Sequence, residues 1–125
     1  MKTISLSIVA VILSGCASHS TNVKIGTDQS YVSLSDQRQA IKSVSEYEAI
    51  PAGAKVLGRL DAGRCHRRQG EIEPSEELVK VDLKVAAFAR GADGISSIVF
   101  NKAMALSGNC WYILTGEATM FSIPK

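Results

Sequence analysis

Residues 73–101 read EPSEELVKVDLKVAAFARGADGISSIVFN. Glu73-Pro74-Ser75-Glu76-Glu77 opens a helix. Proline suits the first turn, where its missing N–H costs nothing, and the carboxylates favour the positive end of the helix dipole. Leu78, Val81, Val85 and Phe88 recur at helical spacing and predict one apolar stripe, with Ala89 and Ala92 beside it. Arg90 falls in the last turn and Gly91 is a natural C-cap, so the spacing predicts a helix over 74–90. Gly94 to Asn101, rich in Ile, Val and Phe, then reads as a strand.

Working outward, Lys55-Val56-Leu57-Gly58-Arg59-Leu60-Asp61 reads as a strand in which Gly58 marks a bulge or a close backbone approach. Gly63-Arg64-Cys65 ends it, and Cys65 to Glu73 is expected to be a polar loop. Ile50-Pro51-Ala52-Gly53 is a turn signal, and Ala40 to Val44 is expected to be a short strand. Downstream, Ser107-Gly108-Asn109 is a turn. Trp111 to Ile123 is a long strand with Tyr112, Leu114, Gly116, Ala118 and Met120 on one face, and Thr115, Glu117 and Thr119 on a wetter one. Strand, helix, strand, strand implies an α+β domain of two layers, a small mixed sheet packed on one main helix. The strand–helix–strand crossover should be right-handed and parallel, and the last strand should pair antiparallel with 95–101.

The N-terminus carries a different kind of signal. Lys2 is a positive n-region, and Ile4 to Leu13 is an apolar run about half the roughly 20 residues that a spanning helix needs. Leu13-Ser14-Gly15-Cys16 matches the bacterial lipobox: an aliphatic residue, two small residues that fit a signal-peptidase site, then a Cys whose thiol takes a diacylglycerol. Residues 1–15 are thus expected to be a lipoprotein signal peptide and Cys16 the lipidated first residue. The competing reading is a buried Cys after an apolar run in a cytosolic helix. Three acyl chains on Cys16 make attachment effectively permanent, since each buried CH₂ contributes about 0.8 kcal/mol. Ala17 rather than Asp after Cys16 points to the outer membrane, facing the periplasm, by the enterobacterial sorting rule. Residues 16–36, polar and without sustained period, read as a flexible tether with short extended pieces, and residues 37–125 as the domain. Twenty flexible residues reach roughly 25 Å.

Topology makes a prediction about the cysteines. If 55–61 and 95–101 are parallel, their C-terminal ends share one sheet edge. Cys65 follows the first of them, and Cys110 begins the strand that returns from the second. In an oxidising compartment these two should form a disulfide. It would close a loop of about 46 residues and contribute roughly 4 kcal/mol on the chain-entropy model. That is a large share of the stability of so small a domain.

Leu57-Gly58-Arg59-Leu60, Cys65, then Ala86-Ala87-Phe88-Ala89-Arg90-Gly91-Ala92-Asp93-Gly94-Ile95, then Cys110-Trp111-Tyr112, resembles the C-terminal domain of the RcsF-like envelope-stress sensor lipoproteins, over Ile41–Lys125 and the lipobox. The resemblance implies a compact α/β domain with a disulfide between the strand-end Cys and the hairpin Cys, and a sensing role at the outer membrane. Two features depart from that pattern. The mature chain has no second Cys pair, and residues 17–36 contain no Pro where those sensors carry a long Pro-rich basic linker. The fold therefore transfers better than the signalling role.

The composition narrows the remaining chemistry. A net charge of +2 is too mild to indicate nucleic acid. No nucleophile elbow, phosphate-cradling Gly loop or H-E-x-x-H motif occurs, so the chain is expected not to be an enzyme, and to need no cofactor and no small-molecule substrate. Cys65, His66 and Cys110 fall short of a zinc set, with His19 the sole other His. Arg64, His66, Arg67 and Arg68 form a basic patch whose functional reading, second to the bland one, is a contact for anionic headgroups, lipopolysaccharide or an acidic partner. Its bland alternative is a solvated loop balanced by Glu71, Glu73, Glu76 and Glu77. Of Trp111 and Tyr112, one is expected to pack on the disulfide and the other to be exposed. The chain thus reads as a non-catalytic, lipid-anchored periplasmic binding or sensing module. The alternatives are a structural envelope lipoprotein with no signalling role, and a thiol-redox or metal protein.

Overall fold

The computed structural model of the chain describes residues 22–25 and 32–125. The expected signal peptide, Cys16, His19 and much of the expected tether lie outside the described residues. Five strands and two helices follow: β1 Val23–Ile25, α1 Leu34–Ser43, β2 Ser45–Tyr47, β3 Lys55–His66, α2 Glu76–Ala89, β4 Gly94–Ala105 and β5 Cys110–Ser122. A single 3₁₀ turn, Leu106–Gly108, joins β4 to β5. The strands form one mixed sheet in the order β1-β3-β5-β4-β2, curled as a half-barrel with the helices packed on it. The α+β class is as the sequence reads.

Strand β5 is the centre of the sheet. It pairs antiparallel with β3 on one side and with β4 on the other, so β3 and β4 run parallel with β5 between them. The expected hairpin is present, and β3 and β4 are parallel as expected, though separated by β5. Strand β5 alternates as its sequence does, with Leu114, Gly116, Ala118 and Met120 buried and Glu117 exposed. Register slips by one residue between Val56 and Gly58, where Gly58 takes φ +138, a conformation that a side chain disfavours. Gly58 does mark a bulge.

Helix α2 starts at the Ser75 N-cap, whose hydroxyl accepts from the Leu78 amide. Its buried seam is Val79, Asp82, Leu83, Ala86 and Ala87 rather than the Leu78–Val81–Val85–Phe88 stripe. Both sets have helical spacing and lie side by side on the helix, while Glu77, Lys80 and Lys84 form its charged face. The helix packs on β3 and β5 with one flank and meets α1 with another, so Val85 is buried too and Phe88 is half-buried. The small residues of the seam let helix and sheet approach closely. A Cβ on Gly116 would stand 2.8 Å from Val79 Cγ1 and 3.2 Å from Leu83 Cδ1.

Two expectations fail in the N-terminal third. Ala40 to Val44 is not a strand but the end of α1 and its C-cap. Ser33 caps that helix, its hydroxyl accepting from the Asp36 amide at 3.1 Å. Ala40 and Val44 then turn inward at helical spacing. The stretch read as tether also contributes two elements to the domain. Val23–Ile25 pairs with β3, and α1 begins at Leu34. Strands β3 and β4 outrun their expected ends as well, continuing to His66 and Ala105.

Replacing Gly116 with Ala should cost about 1–3 kcal/mol, as overpacking of a tight contact does. Gly108→Ala, where an added Cβ meets nothing within 4 Å, should shift the urea midpoint little. Equal midpoints for the two variants would contradict the close helix–sheet contact.

Candidate functional site

Four segments end together. Strand β3 stops at His66, β4 at Ala105, β5 starts at Cys110, and β1 enters with Val23 opposite Cys65. Cys65 and Cys110 are joined there by a disulfide, with Cα atoms 5.5 Å apart and a sequence separation of 45. The topological prediction is met. Cys65 is 0% exposed and Cys110 3%. A buried disulfide is shielded from attacking thiolates, which suits a structural bond rather than a cycling one.

The basic patch divides. Arg64 is not on the surface. It is 6% exposed, and its guanidinium donates from Nε to Asp82 Oδ2 at 2.6 Å and from a terminal nitrogen to Oδ1 at 2.9 Å. Along the strand, Arg64 alternates with Gly63 and Cys65 and so faces α2, where Asp82 lies on the buried seam. Lys24 of β1 approaches the same carboxylate at 3.2 Å. One carboxylate therefore ties β1, β3 and α2 together. Asp82 was missed because the stripe expected from sequence ran one residue out of phase; a polar residue within the true seam is the signal that finds it.

Arg67 and Arg68 are exposed, and their loop is held from within. Glu71 turns its carboxylate inward to accept from the Arg67 and Arg68 amides, at 3.2 and 3.3 Å. His66 is nearly buried. Its ring stacks on Tyr112 with centroids 5.1 Å apart, and its Nδ1 lies 3.9 Å from Glu71 Oε2. Tyr112 donates to Glu73 at 3.1 Å, and Lys102 Nζ sits 3.8 Å above its ring. The Tyr112 hydroxyl is held above its ordinary ionisation range, first by burial and then by its hydrogen bond to Glu73 and that carboxylate's charge. Trp111 is the exposed member of the aromatic pair, and its indole N–H donates to the Arg67 carbonyl at 2.9 Å. A groove of about 410 Å³ lies between Val23 and the 67–71 loop.

The exposure of this end follows from lengths. Helix α2 has 14 residues and β5 has 13, so the helix runs about 21 Å and the strand about 40 Å. The helix covers Gly116 and Arg64 but not the hairpin tip. Met104 and Leu106 therefore stand 78% and 66% exposed, while Trp111, which alternates with Tyr112 along β5, is 57% exposed. Lys102, Met104 and Leu106 lie beyond Asn101, where the apolar strand pattern of the sequence ends. Among the described residues no group of three or more His, Cys, Asp or Glu could hold a metal ion. No family model, curated protein or solved structure matches the chain.

Asp82→Ala should destabilise the domain by about 3–5 kcal/mol, because it strands a buried guanidinium, while Arg64→Met with Asp82→Leu should recover most of that loss. Urea unfolding of the single and double variants measures both. A further expectation concerns Tyr112. A raised folded pKa contributes stability that is present below the unfolded tyrosine value of about 10 and is lost as pH rises through the folded one. Glu73→Gln should let tyrosinate absorbance appear at lower pH; an unchanged titration would remove Glu73 from the account.

Proposed function

We propose that this chain is a non-catalytic, lipid-anchored binding or sensing module of the bacterial envelope, held at the outer membrane through Cys16 and facing the periplasm. The observation that carries the reading is the lipobox Leu13-Ser14-Gly15-Cys16 standing just ahead of a disulfide-linked domain. A disulfide between residues so distant in sequence suits an exported protein, because the cytosol keeps thiols reduced. The acyl chains hold the protein to the bilayer, and the folded domain presents a surface to the envelope.

Envelope-stress sensing or envelope assembly is the role to which the resemblance to RcsF-like lipoproteins points. That resemblance rests on the strand, helix and Cys pattern of Ile41–Lys125, and the single disulfide and Pro-free stretch after Cys16 set this chain apart from it. Burial of the disulfide favours the binding or sensing reading over a thiol-redox role.

A deletion strain tests the role. Sensing predicts that an envelope-stress reporter loses its response and regains it with the wild-type chain but not with Cys16→Ser. An unaltered reporter together with altered envelope permeability would replace sensing with a purely structural role.

A further inference from the structure

The lipid anchor and the uncovered end of the sheet belong to one geometry. Cys16 precedes Asn22 by six residues, which at full extension span about 21 Å. Asn22 is fixed to the domain, its side-chain amide donating to the Ile72 carbonyl at 3.0 Å. The next residue, Val23, pairs with Cys65 at the disulfide end. A lipid on Cys16 therefore holds the disulfide end, and not the opposite end of the sheet, within about 21 Å of the bilayer surface. This is much closer than a tether running to residue 36 would hold it.

That end has the composition of a membrane-interface surface. Trp111, Met104 and Leu106 are exposed apolar side chains there, and Val23 and Ile72 are exposed at the same end. Arg67, Arg68 and Lys102 are exposed at the same end. Of the acids in the loop, Glu71 is turned in on the backbone amides and Glu73 is engaged by Tyr112. Among the described residues, the Arg67 and Arg68 side chains are in no ion pair. Tryptophan favours the headgroup level, where its ring is half in hydrocarbon and its N–H is satisfied. Here the N–H already bonds to the Arg67 carbonyl, so the ring is tied to the backbone of the basic loop.

Resting on the Cys16 anchor, we propose that this end of the domain seats on an anionic phospholipid surface. Trp111, Met104 and Leu106 enter the headgroup layer, and Arg67, Arg68 and Lys102 meet the phosphates. Anchoring makes the step intramolecular at an effective concentration on the order of millimolar, so a small patch suffices. Seated this way, the domain turns its opposite end and its helices toward the periplasm.

Trp111 is the one tryptophan of the chain, and Cys16 is its one thiol outside the disulfide. The test uses the mature chain Cys16–Lys125 coupled through the Cys16 thiol to a maleimide lipid, so that the anchor is supplied chemically. The vesicles are phosphatidylethanolamine with phosphatidylglycerol. Seating predicts a blue-shifted Trp111 emission that brominated lipids quench and aqueous acrylamide reaches several-fold less than in the uncoupled chain. Arg67→Gln with Arg68→Gln and Lys102→Gln should lower the docking equilibrium about a hundredfold. Vesicles of phosphatidylcholine alone should weaken it similarly. Unchanged acrylamide access on the anionic vesicles would overturn the proposal, as would equal protection on neutral vesicles. So would crosslinking of Trp111-side residues to an envelope protein with no protection by lipid. Because the anchor is chemical, a cell that fails to lipidate Cys16 would refute the anchor reading without imitating any of these outcomes.

Discussion

Helix α2 is about half as long as the hairpin it packs on, and most of the molecule follows from that mismatch. The 14-residue helix covers the sheet from its N-terminal contacts at Gly116 and Arg64 to the cluster of Leu60, Ile95, Ala118 and Met120. Under the helix the sheet buries Leu60, Ile95, Ala118 and Met120. Beyond it the hairpin continues without cover. What lies there must be held by other means: a disulfide, a stacked His66–Tyr112 pair and a loop tied through Glu71.

The border between the two regions is the Asp82 carboxylate. It receives the Arg64 guanidinium from β3 and Lys24 from β1. A buried pair of this kind is weak evidence of net stability, since desolvation offsets much of the attraction. Its value here is positional. It fixes the phase of α2 over the sheet and binds a three-residue edge strand that would be marginal alone. That strand, in turn, sets the end of the domain from which the N-terminal chain departs.

The parts of the fold carried by strong local signals were legible in the sequence. Helix α2 shows its acidic first turn and its C-terminal Gly91, although it starts at the Ser75 cap, with Pro74 ahead of the first turn rather than in it. Strand β5 shows its alternation, and the Cys65–Cys110 pair follows from topology. The parts that were not legible depend on partners distant in the chain. The Val23–Ile25 segment reads only as a short extended piece of tether and becomes part of the sheet by pairing with β3. Helix α1 hid because Ala40 to Val44 is short and apolar, although Ser33 and Asp36 spell a capping pattern ahead of it. Arg64 read as a surface cation because its sequence neighbours are basic, whereas burial is decided by strand alternation and by a carboxylate 18 residues away. Within the candidate site, Arg67, Arg68 and the disulfide were visible from sequence; Met104, Leu106 and Lys102 were not, because their exposure is set by how far α2 reaches.

The central claim is that an exported, lipid-anchored chain folds around a closed Cys65–Cys110 bond. It is tested most directly by the mass of protein extracted from the envelope and alkylated without reductant. The account predicts a chain that begins at a triacylated Cys16 and yields a linked Cys65–Cys110 peptide pair. An unprocessed N-terminus with Cys65 and Cys110 both alkylated would contradict it.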